Sequence, residues 1–474
     1  MQNLSRRLFL KRTSLGFAAM VLTSCMSPAH APAKKPNLLY INIDDLGWSD
    51  LSFMESPYYD TPNIDRLAKK GVVFSQAYAP AANCAPSRAC CMSGQYTPRH
   101  GIYTVNHSDR GPARHRKLIP VKNTTVLPEK TVTIAEALKA GGYATCFIGK
   151  WHLGQDPRTQ GFDHNIAGSH NGHPKSYFSP YQNKYLTDGP KGQYLTDRLT
   201  DEAMRFLDQR DTDKPFFMYL AFYTVHTPLQ AKKQTIQRYQ QKKGNPQHNN
   251  PKYAAMIKHL DDNIGWLLKK LEASGLRDNT LVLFTSDNGG LYSVSRQWPL
   301  RAGKGSYYEG GIRVPMVVYW PGRTTAGQTC DVPVNGIDFY PTFLEVAGLT
   351  RPEGIVLDGV SLMPLITGRG TIHDRPLFWH FPIYLQGGNT ETQDTIFRTR
   401  PGSAVRYGDW KLIEYFEKSE LELYNLNKDV GERQNLAAQR PQKTNELLTM
   451  LRAWRKQTNA PVPTKANPQY EPAP

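Results

Sequence analysis

"PNLLYINIDDLG", residues 36–47, is a short run rich in leucine and isoleucine that ends in Asp44 and Asp45. An apolar run of this length without polar alternation reads as a strand buried on both faces, with its acids at the carboxyl end. The same grammar recurs along the chain. "GYATCFIGKWHLG" (142–154) leads to Lys150 and His152, "KPFFMYLAFYTVHTP" (214–228) to His226, and "NTLVLFTSDNGG" (279–290) to Asp287 and Asn288. Helix-period segments lie between them at 131–142, 195–210 and 252–275. Strands alternating with helices predict an α/β fold: a large, mostly parallel or mixed sheet sandwiched by helices. In such sheets ligands bind beyond the carboxyl ends of the strands, and four predicted strands deliver ionisable residues to that edge.

After "RVPMVVYWPG" (313–322) and a helix around 336–348 the character changes. "SAVRYGDWKLIEYF" and "ELELYNLNKD" read as antiparallel strands with a turn at Gly408-Asp409, and 443–457 as one amphipathic helix. The expected organisation is a catalytic domain over 36–369, a smaller α+β subdomain over 370–458 and a proline-rich tail over 459–474, extended or disordered. The stretch 229–253 reads as an exposed insertion near the site.

The N-terminus reads as an address. Residues 1–24 carry a basic start with Arg6-Arg7, a short apolar stretch and small residues before Cys25. The pattern resembles a twin-arginine signal ending in a lipoprotein box, which implies the twin-arginine export machinery and a lipid on Cys25. Cleavage near Ala29 or Ala31 is the alternative; otherwise 25–35 is a linker. The expected location is the bacterial periplasm or cell envelope. Losing Arg6, Arg7, Lys11 and Arg12 lowers the formal charge from +17 to +13, so the basic character belongs to the mature chain. That excess favours an anionic partner. No nucleic-acid motif supports a nucleic-acid partner, and no later apolar run is long enough to span a bilayer.

Asp44, Asp45, Asp287 and Asn288 form an oxygen-rich set suited to a hard divalent cation, Ca²⁺ or Mg²⁺, although a lone Asp-Asp also serves turns and caps. No zinc-type His/Cys spacing accompanies it. Lys150 and His152, two apart on an extended segment, point to one face and can meet one anion. Lys304 lies in the glycine-rich "RAGKGSYYEGGIRVP" (301–315). "NCAPSRACCMSGQYTPRHG" (83–101) holds three of six cysteines. The five beyond Cys25 do not pair off cleanly.

Cys84-Ala-Pro-Ser-Arg88, continuing through Ser93-Gly94 to Gly101, resembles the first signature of the formylglycine-dependent (type I) sulfatases, with Ser93 where that signature usually has threonine. "GYATCFIGKWHLG" is similar to the second signature, and Asp44-Asp45, His226-Thr-Pro, Asp287-Asn288-Gly and Gly303-Lys304-Gly fall in the family's order. The resemblance spans roughly 36–455 and implies an alkaline-phosphatase-like fold. It also implies a sulfuric ester hydrolase in which a maturation enzyme oxidises Cys84 to Cα-formylglycine. The hydrated aldehyde attacks sulfur, and its second hydroxyl then expels sulfate.

Carried onto this chain, Asp44, Asp45, Asp287 and Asn288 hold one Ca²⁺ together with residue 84. Arg88 stabilises the ionised diol, and Lys150 and Lys304 neutralise the sulfate oxygens. His226, with Lys304, protonates the leaving oxygen, and His152 is the base for the collapse. Cys90 and Cys91 read as helix residues facing the core. The basic stretch 98–117 and "FWHFP" suggest His100, Arg110 and His380 as substrate contacts. The expected substrate is a sulfated polysaccharide or its oligosaccharides, of carrageenan, ulvan, fucan or glycosaminoglycan type. Small aryl sulfates, a phosphodiester or phosphonate, and a non-catalytic sulfated-glycan-binding lipoprotein are the alternatives.

Overall fold

The strand at residues 37–43 lies near the centre of an eight-stranded sheet in a computed structural model that describes residues 34–471. From edge to edge the strands are His164–Ile166, Ala144–Gly149, Phe216–Ala221, Asn37–Ile43, Thr280–Ser286, Met316–Tyr319, Val72–Phe74 and Gln328–Cys330. All pairings are parallel except those of Met316–Tyr319, which runs against both neighbours, so the sheet is mixed. The proposed signal, Cys25 and most of the linker lie outside the described residues. Among those described, no helix is long and apolar enough to cross a membrane.

Strand periodicity sorts the core into two layers. Leu39, Ile41 and Ile43 join Met218, Leu220, Val282 and Phe284 beneath the helices Pro62–Lys70, Leu195–Gln209 and Pro251–Ala273. Leu38 and Tyr40 face the other way, with Phe217, Tyr219, Leu281 and Leu283, beneath Cys84–Ser93, Ile134–Ala140 and Phe339–Val346. Each large apolar side chain so buried contributes about 1.5–3 kcal/mol. This is why the central strands read as unbroken apolar runs. Local signals fix the helix starts: Thr133 and Glu136 form a reciprocal capping box, and Asn250 caps a helix whose first residue is Pro251.

A four-stranded antiparallel sheet follows, ordered Leu377–Phe381, Gly402–Tyr407, Trp410–Tyr415, Glu420–Asn425, with a two-residue turn at Gly408-Asp409. Leu447, Leu451 and Trp454 of the helix Pro441–Gln457 cover one face together with Phe378, Val405 and Leu412. Trp379, Phe381 and Ile413 on the other face pack against Tyr78, Ala82 and Tyr307. The C-terminal sheet therefore shares its core with residues N-terminal to 370.

One segment differs from the sequence reading, and the tail takes the extended form of the two that reading offered. The stretch 229–253 is built into the fold: it holds the helix Lys233–Gln240, with Tyr239 fully buried, and it seats His248 between Ser49 and Ser56. The tail is extended and pinned as far as it is described. Asn467 donates to the carbonyls of Ala113 and Arg116, and Ile119 donates to that of Lys465. Backbone and amide hydrogen bonds, which composition does not reveal, hold it in place.

Candidate active site

Four adjacent strands end on one edge and there deliver Lys150, the turn to His226, Asp44-Asp45 and Asp287-Asn288. The departure of Lys150 from the sheet requires glycine before it. Gly149 has φ +105°, and a Cβ there would lie 1.9 Å from the Ala221 carbonyl oxygen. Cys84 begins the 84–93 helix facing these strand ends, and the Asn83 side chain accepts from its backbone N–H. The thiol sits 3.6 Å from Asp44 Oδ1, 4.0 Å from Asp45 Oδ1 and 3.0 Å from Lys304 Nζ. At a helix's positive end, an anion beside residue 84 is favoured.

The charges interlock. Lys150 Nζ lies 2.7 Å from Asp44 Oδ2, and Lys304 Nζ 2.6 Å from Asp45 Oδ1. Arg88 places Nε and Nη2 each 2.8 Å from Asp287 Oδ2, while Nη1 donates to the Lys150 carbonyl at 2.7 Å. The Arg88 fork therefore ties the ends of two strands to the 84–93 helix. Burial pushes the Asp44 carboxyl up to about 7 against the pull of Lys150. Burial also opposes ionisation of Asp45, but Lys304, His226 and Lys150 together outweigh it and hold that carboxyl below its usual range. The Cys84 thiol is pushed up to about 12 by burial despite both lysines.

Three carboxylates and an amide are hard oxygen donors of the kind Ca²⁺ and Mg²⁺ take. Asp44, Asp45, Cys84 and His226 bring ligand atoms within 4.8 Å of one another. Asn288 donates through Nδ2 to Asp45 Oδ1 at 2.8 Å, leaving its own Oδ1 buried and without a partner. An orphaned buried acceptor beside carboxylates fits a bound cation.

The histidines are neutral. Burial, reinforced by Lys304, lowers His226 to about 3. Its Nδ1 donates to the Thr227 carbonyl at 2.7 Å, which turns the Nε2 lone pair toward Asp45 Oδ2, 3.8 Å away. Burial and then Lys150 hold His152 well below its ordinary value, and its Nδ1 has no protein partner.

His100 and His380 do not fit the expected role as substrate contacts. His100 is buried, with Nδ1 accepting from the Ile102 N–H and Nε2 3.4 Å from Cys90 Sγ. His380 is buried in the C-terminal sheet between the Ser403 hydroxyl and the Pro461 carbonyl. Arg110 lies in a segment held against the C-terminal hairpin, where Asp109 bridges to Tyr384 and Gly111 packs on Phe397. Sequence reasoning missed Arg398, whose alkyl stem lies against Gly305, next to Lys304. Cys90 and Cys91 are buried in separate core clusters, and all five described cysteines are free thiols.

Residues 36–349 match the sulfatase family model, and 303–458 match the C-terminal model of N-sulphoglucosamine sulphohydrolase. A sulfatase of Formosa agariphila is 34% identical over 90% of each chain. Human N-acetylgalactosamine-6-sulfatase is 33% identical over 75% of this chain and 70% of its own. The crystal structure of Ps i-CgsB in complex with k-i-k-neocarrahexaose superposes with a TM-score of 0.73 at 32% identity, covering 89% of this chain and 93% of that one. With strand-end acids, a helix-borne Cys84 and flanking lysines gathered at one sheet edge, this chain belongs to the sulfatase family and is a sulfuric ester hydrolase.

Proposed function

We propose that the protein removes sulfate from sugars of a sulfated polysaccharide or its oligosaccharides, with formylglycine derived from Cys84 as nucleophile and one Ca²⁺. The observation that carries this reading is the position of Cys84 Sγ, within 4.0 Å of Asp44, Asp45 and Lys304 at the sheet's carboxyl edge. Oxidised and hydrated, residue 84 supplies two hydroxyls on one carbon, one to attack sulfur and one whose deprotonation expels sulfate and restores the aldehyde. Asp44, Asp45, Asp287 and Asn288 would hold the cation, which would supply Lewis-acid chemistry beside residue 84.

The chain's own residues do the rest. Lys150 and Lys304 face the sulfate position and offset the negative charge that grows on its oxygens. Arg88, locked by Asp287 and the Lys150 carbonyl, presents a fixed positive charge toward residue 84. His152, neutral and with a free ring nitrogen, is suited to accept the proton during sulfate release. Burial and then Lys304 keep His226 neutral, and a substrate anion favours its protonated form, so it protonates the leaving oxygen in the complex, with charged Lys304 beside it. The surplus of positive charge and the sulfated-sugar relatives support a glycan substrate. Export to the cell envelope, with a lipid on Cys25, suits a polymer taken from outside the cell.

The test is sulfate release from sulfated oligosaccharides by the full chain made alongside a formylglycine-generating enzyme. Release by the wild type and its loss in Cys84→Ala are expected. Equal release by both proteins would overturn the nucleophile, and no release from any sugar would overturn the substrate class.

A further inference from the structure

The segment that carries Arg398 is a short hairpin in which Leu385 pairs with Thr399 and Gln386 with Phe397. Arg398 is the extra residue between those pairs, a bulge of the kind that re-aims a side chain. Its alkyl stem lies against Gly305, where a Cβ would meet Arg398 Cδ at 3.1 Å. Gly305 follows Lys304, whose Nζ is 3.0 Å from Cys84 Sγ. The segment that carries Arg110 meets the same hairpin. Asp109 bridges to Tyr384, and Gly111 packs on the Phe397 ring, where a Cβ would lie 2.7 Å from Cε1. Two guanidinium-bearing segments nearly 290 positions apart, at 110 and 398, thus meet at one wall of the site.

Nearby arginines have their acids: Arg116 pairs with Asp109, and Arg400 with Asp394 and Glu417. Among the described residues, neither Arg110 nor Arg398 has an ion-pair partner. Arg398 donates only to the Gly387 carbonyl, at 3.2 Å. Burial lowers both guanidinium pKa values, and Arg110 further disfavours charge on Arg398. Two half-buried cations on adjoining segments, neither in an ion pair, are costly, and an anion held by both offsets that cost.

We propose that Arg110 and Arg398 form a second anion subsite beside the sulfate-ester centre, selecting substrates that carry a further sulfate or carboxylate near the scissile sulfate. The inference rests on the sulfated-glycan reading above and names what that glycan carries. It does not require residue 84 to be oxidised.

The test compares kcat/KM on matched oligosaccharides: one sulfate, the same sugar with a second sulfate, and the same sugar with a uronate carboxylate. The wild type prefers a doubly anionic substrate by about tenfold or more, the weight of a charge-assisted hydrogen bond. Arg398→Gln and Arg110→Gln each shrink that ratio, the double variant brings it near one, and Arg398→Lys restores part of it. The preferred arm identifies the second anion. Calorimetric binding of the same sugars to Cys84→Ala, in the full chain, reads the subsite without turnover. Absence of sulfate release from every sugar would count against the proposed reaction, while the binding ratios still decide the subsite. A wild type without preference, or arginine variants with an unchanged ratio at unchanged Tm, would overturn the proposal.

Discussion

Arg88→Ala tests how the site is held together. Arg88 is 1% exposed, makes two 2.8 Å contacts with Asp287 Oδ2 and donates to the Lys150 carbonyl at 2.7 Å. Truncation strands a buried carboxylate, which costs about 3–5 kcal/mol, and frees a buried carbonyl, which costs about 1–3 kcal/mol. Relaxation and water entry make these terms less than additive, so a loss of about 4 kcal/mol in unfolding free energy is expected. Urea denaturation of the full chain measures it, alongside sulfate release. The double variant Arg88→Met/Asp287→Leu separates stability from chemistry. Replacing a buried ion pair by apolar side chains of similar size is often neutral or better, so it recovers much of the lost stability. It recovers no activity, because Asp287 is a proposed cation ligand and Arg88 a proposed charge stabiliser. A single variant that loses less than 1 kcal/mol, or a double variant as unstable as the single one, would refute the reasoning.

Three further outcomes follow from other parts of the structure. Gly149→Ala places a Cβ against the Ala221 carbonyl at a left-handed φ, so it costs about 2 kcal/mol or more and lowers sulfate release by shifting Lys150; an unchanged Tm and rate would contradict this. Chelation of divalent cations abolishes activity and lowers Tm, and Ca²⁺ in hundredfold excess over its Kd restores about 2.7 kcal/mol; chelator-resistant activity would remove the cation from the account. Lys411 lies buried between Glu309 and Glu432, 3.0 and 2.8 Å away, and burial raises the Glu432 carboxyl to about 7. Between pH 4.5 and 7 the folded state therefore holds a proton at Glu432 that the unfolded chain has lost, and stability contributed by this group falls as pH rises through that window. In Glu432→Gln that fall is flattened, which denaturation at several pH values measures; identical slopes would contradict it.

The strand ends were legible because fully buried parallel strands must be unbroken apolar runs, and a polar residue closing such a run marks where the core stops. The neighbourhood of Asp44, Lys150, His226 and Asp287 followed from topology alone, since parallel strands put their carboxyl ends together. What one sequence does not carry is burial within basic segments. His100 sits in a basic segment and His380 between aromatic residues, yet both lie inside the protein, His100 against Ile102 and Cys90 and His380 between Ser403 and Pro461. Arg398 escaped for the converse reason. Its role comes from a one-residue bulge in a short hairpin, and no side-chain pattern announces that. The tail from 459 on likewise owes its order to backbone and amide hydrogen bonds with 113–119, which are indifferent to its proline-rich composition.

The most direct test of the central claim is the mass of the peptide containing residue 84, taken from active protein made with its maturation enzyme. An aldehyde at residue 84 that reacts with a hydrazide probe is expected, with unmodified thiols at Cys90 and Cys91 of the same helix. An intact Cys84 thiol in fully active protein would contradict it.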